Sequence, residues 1–157
     1  MPGSAQEFIE AELINKLGIK RYLWEQNVSG VPEAAFGTSM TSRDMLKWAS
    51  LVKDKGVWQG EQLISAEFIA QATSSVAIPT DDEWDYTGYR YGYYFWGKTL
   101  RVGDQEFNAK LAWGGGTQMA IAIPAAELVI IITARARAAG FQTMDLIEQK
   151  ILPAVIG

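Results

Sequence analysis

Ala112-Trp113-Gly114-Gly115-Gly116-Thr117-Gln118 decides the fold, because it closes one apolar segment and opens the next. The segment before it runs from Phe107 to Trp113, and Met119-Ala120-Ile121-Ala122-Ile123 follows it. Three consecutive glycines leave backbone bare of side chains between the two. Glycine within a strand pattern marks a bulge, a turn or a close approach by a ligand or another backbone. After the short turn Pro124-Ala125-Ala126-Glu127, the run Leu128-Val129-Ile130-Ile131-Ile132 supplies a returning strand. The pattern predicts a hairpin whose first strand starts in a naked glycine edge.

The flanking sequence extends this sheet. Tyr91, Tyr93 and Phe95 alternate with Gly92, Tyr94 and Trp96, which predicts a strand over Tyr89 to Trp96. Val102-Gly103-Asp104-Gln105 reads as a turn before the strand from Glu106 to Trp113. A terminal helix is expected over roughly Phe141 to Leu152, with Pro153 after it. At the other end, Ser4-Ala5-Gln6-Glu7 is a capping box, followed by Ile9, Leu13 and Leu17 on one helical stripe and Gly18 as a stop.

Residues 19 to 40 read as irregular. Thr41-Ser42-Arg43-Asp44 then repeats the capping signature. Met45, Trp48, Ala49 and Val52 recur at i, i+3, i+4 and i+7, so residues 42 to 55 form an amphipathic helix ended by Gly56. A small hairpin is expected around Gly60 and a short helix over Ala66 to Ala72 capped by Ser65, with a long polar loop over 74 to 90. The expected architecture is α+β: an antiparallel sheet of about four strands with flanking helices.

Composition removes whole classes of function. The 157 residues suffice for one domain with a real core. A hydrophobic share of 48% speaks against disorder, and a net charge of -4 gives no footprint for nucleic acid. With no cysteine and no histidine, the chain holds no disulfide, no thiolate metal site and no Ser-His-Asp or Cys-His machinery. The longest apolar stretch, Met119 to Ala134, is broken by Pro124 and Glu127, so no membrane span is expected. No signal-peptide pattern stands at Met1-Pro2-Gly3-Ser4.

Several stretches in order resemble one family. These are Gly37 to Trp48, Gly56-Val57-Trp58-Gln59-Gly60-Glu61-Gln62-Leu63-Ile64-Ser65, the run Tyr91-Gly92-Tyr93-Tyr94-Phe95-Trp96, and Gly114-Gly115-Gly116-Thr117-Gln118 with Ile123-Pro124 and Leu128-Val129-Ile130. From about residue 5 to the end they resemble the C-terminal portion of serine β-lactamase-related proteins. That group takes in class C β-lactamases, β-lactamase-type esterases, penicillin-binding proteins and 6-aminohexanoate-dimer hydrolases. The resemblance implies the C-terminal part of a β-lactamase/transpeptidase-like fold. It also implies acyl transfer through an acyl-serine, with Lys and Tyr as bases, on a small-molecule ester, amide or β-lactam, and with no cofactor and no metal. Relatives of this kind are often periplasmic or secreted.

The family's first two motifs, Ser-x-x-Lys and Tyr-x-Asn, belong upstream of the part that this chain resembles. The literal Ser50-Leu51-Val52-Lys53 falls inside the 42-to-55 helix and reads as an ordinary helix surface. The third motif stands in its Trp-type form, Trp113-Gly114-Gly115. In that register the amide of Gly116 is the second oxyanion-hole donor; aligned one residue earlier, it is that of Gly115. Such a donor is worth about 3 kcal/mol of barrier. The chain is therefore expected to be inactive alone, the alternative being a non-catalytic binding or interaction module on the same scaffold. An incomplete sheet predicts a homo-oligomer, by strand or domain swapping.

Other candidates are weaker. The triple glycine lacks the Gly-Lys-Ser/Thr of a phosphate cradle. Asp81, Asp82, Glu83 and Asp85 offer oxygens to a hard cation but lack an EF-hand pattern. Trp84, Tyr86 and Tyr89 line a substrate cleft or cover the sheet.

Overall fold

A computed structural model describes residues 3–74, 76–79, 86–136 and 139–156. The acidic group Asp81, Asp82, Glu83 and Asp85, together with Trp84, lies outside the described residues. The chain begins with α1 (Ala5–Ile9), which continues as a π-helical turn over Glu10–Ile14. Its capping box is formed as expected: Ser4 Oγ accepts from the Glu7 amide, and the Glu7 carboxylate accepts from the Ser4 amide.

Residues 19 to 40 are not wholly irregular. β1 (Tyr22–Trp24) and β2 (Thr38–Met40) pair as a short antiparallel ribbon. Three-residue strands carry too little alternation to show as a sequence period. α2 (Ser42–Lys53) follows, with Thr41 Oγ1 accepting from the Asp44 amide and donating to the Asp44 carboxylate. The carboxylate also takes a 2.8 Å bond from Lys47 Nζ. β3 (Val57–Trp58) and β4 (Glu61–Gln62) form the small hairpin, and α3 (Ala66–Ala72) starts under the Ser65 cap.

The main sheet has five strands rather than about four: β5 (Tyr89–Gly92), β6 (Phe95–Val102), β7 (Gln105–Gly114), β8 (Gln118–Ile123) and β9 (Leu128–Ile132). They pair antiparallel in chain order. The extra strand arises because Tyr89 to Trp96 is not continuous. Tyr93 and Tyr94 take positive φ (48 and 68) and turn the chain back on itself. Two non-glycine residues in that region disguise the turn, since turn chemistry normally advertises itself with Gly or Asn.

The last helix begins at α4 (Gly140–Leu146), runs π-helically over Ile147–Ile151 and ends in α5 (Leu152–Ile156). It therefore passes Pro153 instead of stopping before it. Proline is tolerated in a first helical turn, and the π-helical step resets the hydrogen-bond frame just before it.

Side-chain alternation divides the sheet into two unlike faces. Phe107, Ala109, Leu111, Met119, Ile121 and Ile123 point one way and are buried, with Met144, Ile147 and Leu152 of the terminal helix closing over them. Asn108, Lys110, Ala112, Ala120 and Ala122 alternate with these, and α2 stands on β8 and β9 of that second face. A smaller cluster of Ile14, Leu17 and Ile19 ties α1 to Trp48 and Trp58. Among the described residues no helix is long and apolar enough to cross a membrane.

Gly140 starts the terminal helix against the indole of Trp113. A Cβ there would lie 2.0 Å from Trp113 Cζ2. Gly140→Ala is expected to lower stability by about 1–3 kcal/mol through overpacking, read as a shift of the urea midpoint with unchanged slope.

Candidate functional site

The β7–β8 hairpin closes over Gly115, Gly116 and Thr117, with Gly114 paired to Gln118. Gly116 and Thr117 both have positive φ, 78 and 66. A β-branched residue in that region is held there only by strong surroundings. Here they are visible. Thr117 is buried and its hydroxyl donates to the Ala136 carbonyl at 2.7 Å, while the Ala136 amide donates to the Gly116 carbonyl at 3.1 Å. The Gln118 side-chain amide donates to the Ala134 carbonyl. The segment after β9 thus clamps the turn from one side.

Among the described residues, the amides of Gly115 and Gly116 donate to no carbonyl. Gly115 is exposed, with nothing within 4 Å of where a Cβ would be. The turn therefore presents two backbone donors on a braced base, on residues that carry no side chain of their own.

Trp113 does not face α2. Its indole lies on the helix-covered side, with ring centroids 5.2 Å from Phe141, 5.5 Å from Trp96 and 5.8 Å from Tyr89. Tyr86 stacks on Trp96 at 5.2 Å. Tyr89 is buried, and its hydroxyl has no partner among the described residues. Burial pushes that hydroxyl well above the ordinary tyrosine range. Of the aromatics weighed for a cleft, Tyr86 and Tyr89 cover the sheet. The group anchors Trp113 and so fixes the end of β7 that leads into the glycines.

Ser50 and Lys53 lie on α2. Lys53 Nζ is 2.5 Å from Asp54 Oδ1 and 2.7 Å from Glu127 Oε2, and these bonds, Asp54 first, hold its pKa above the usual lysine value. A lysine acting as base needs the neutral amine, so this environment works against that role. No described hydrogen bond joins Ser50 to Lys53, or either to the 114–116 turn.

The second face of the sheet carries a feature that the motifs did not indicate. Between α2, the β1–β2 ribbon and β6–β8 lies a cavity of about 720 Å³, walled by Trp24, Met40, Met45, Trp48 and Phe95. Lys110 reaches into it from β7. Burial, with like charge from Lys55 as a lesser cause, lowers the Lys110 pKa below the ordinary lysine value. Its sequence signal is the out-of-phase position of Lys110 between Ala109 and Leu111. The roof over it comes from Trp24, Met40, Met45 and Trp48, far upstream in the chain, which no local pattern reveals. Among the described residues, no group of three or more acidic, His or Cys side chains is placed to hold a metal.

No family profile matches the chain, and no curated protein sequence does. A solved structure named "Putative 6-aminohexanoate-dimer hydrolase from Bacillus anthracis" superposes with a TM-score of 0.72 at 16% identity. The match covers 97% of this chain and 39% of that one, so the chain spans well under half of its structural neighbour. At that identity the likeness establishes the fold alone: the chain has the architecture of the corresponding part of that structure.

The clamp on the glycine turn is open to a direct check. Thr117→Val removes the bond to Ala136 and leaves a carbonyl without its partner. It is expected to cost about 1–3 kcal/mol, measured by chemical denaturation. Exchange of the Ala136 amide, which donates to the Gly116 carbonyl, should quicken in the same variant.

Proposed function

We propose that this chain is the C-terminal, third-motif-bearing part of a serine hydrolase of the β-lactamase-related type, and that it is inactive alone. The observation that carries this reading is the turn at 114–118. It combines a braced backbone with two glycine amides that donate to no carbonyl among the described residues. In the complete site, a serine oxygen attacks the acyl carbon of an ester, amide or β-lactam and gives its proton to a lysine or tyrosine base. The carbonyl π electrons move onto the oxygen, which accepts a hydrogen bond from the turn. Collapse expels the leaving group, and water then releases the acyl group from serine. The amide of Gly116, or of Gly115 in the alternative register, takes the donor role; Trp113 and Gly114 set the strand end that aims it.

Ser50 and Lys53 are assigned no part in this chemistry. The Lys53 ammonium is neutralised by two carboxylates, and a serine without a base beside it is a weak nucleophile. Intact mass after incubation with a penicillin, and separately with a p-nitrophenyl ester, is expected to show no adduct. A stoichiometric adduct that disappears in Ser50→Ala would overturn the reading and make the chain an enzyme in its own right.

The sheet also supports self-association. β9, Leu128–Ile132, is an edge strand of five aliphatic residues, and it has no outer partner strand among the described residues. Edges of this kind recruit another strand. Light scattering is expected to give a dimer or higher species; a monodisperse monomer at working concentration contradicts it.

A further inference from the structure

We propose that the cavity between α2 and the second face of the sheet binds a small organic anion with an apolar body, the anionic group being held by Lys110. This stands apart from the acyl-transfer reading and requires none of its residues.

The cavity exists because of side-chain size on one face. Ala112, Ala120 and Ala122 occupy the positions where the opposite face carries Leu111, Met119 and Ile121. α2 rests on β8 and β9, and the remaining space over β6 and β7 stays open. At about 720 Å³ it falls within the usual range for small-molecule sites, and its wall combines the aromatic and thioether side chains of Trp24, Trp48, Phe95, Met40 and Met45 with small aliphatic ones. An aromatic or branched aliphatic body suits such a lining.

The charge of the ligand follows from what surrounds Lys110. Among the described residues its ammonium is in no ion pair, whereas Lys16, Lys47 and Lys53 each have a carboxylate within 4 Å. Among the described residues, the charge that acts on it is that of Lys55, of the same sign. The strand register puts Arg90, Gly97 and Lys110 on one line across three strands and on one face. Among the described residues, the Arg90 guanidinium meets only neutral acceptors there, Thr99 Oγ1 at 3.0 Å and Asn108 Oδ1 at 3.4 Å. Among the described residues, this part of a net-acidic chain is thus locally positive, with no carboxylate paired to Lys110 or Arg90. A half-buried ammonium without a partner is unfavourable, and a bound anion restores what burial removed. One cation in an apolar cavity selects a monoanion, a carboxylate or sulfonate, over a polyphosphate.

Two fluorescent probes of similar shape test this: anilinonaphthalenesulfonate, which is anionic, and N-phenylnaphthylamine, which is neutral. Both are expected to bind saturably at one site per chain, the anion more tightly and with an affinity that falls as salt rises. Lys110→Met should weaken the anion by about tenfold and leave the neutral probe unchanged, since Met retains the apolar stem. Ala112→Phe, at an exposed position, should displace both. An anion isotherm unmoved by Lys110→Met, or equal affinities for the two probes, overturns the proposal. So does binding that is lost at concentrations where the chain self-associates, which would assign the groove to a second copy.

Discussion

β7 is paired from end to end, Gln105 to Leu111 with β6 and Lys110 to Gly114 with β8, and each side chain it carries is thereby committed to one face. A slip of one residue would turn Phe107, Ala109, Leu111 and Trp113 outward together. That constraint fixes the terminal helix, because its Met144, Ile147 and Leu152 have only this face to cover. It fixes the other face equally, with Lys110 and Ala112 directed away from the core. The core and the cavity are two sides of one register.

The end of β7 is where this rigidity becomes chemically useful. Trp113 is held among Phe141, Trp96 and Tyr89, and Gly140 allows the helix to start directly against its ring. One step further, the backbone loses its side chains and is clamped instead from the segment after β9. A donor aimed at developing charge has to be in place before the charge appears, and a turn braced on both sides meets that requirement. The same bracing keeps a β-branched residue, Thr117, at positive φ.

Much of this was legible in the chain itself. The caps at Ser4, Thr41 and Ser65 act through atoms three residues away, so their signatures are local and they form as read. The apolar alternation of residues 107 to 132 likewise determined three adjoining strands. The misreadings share one cause. A turn through Tyr93 and Tyr94, a helix running past Pro153 and a three-residue ribbon all override local propensity, and each is held by contacts made elsewhere in the fold.

By itself, the sequence determined the α+β class, the glycine hairpin with Trp113 at its mouth, and the lack of any histidine or cysteine chemistry. Those are matters of residue identity and short-range period. The tertiary structure alone decided that Lys53 is spent on Asp54 and Glu127, that Trp113 turns to the helix side, and that Lys110 stands in a cavity with no ion-pair partner among the described residues. Each depends on residues far apart in the chain. The period along a strand says that two faces exist, and only packing says what comes to lie over them.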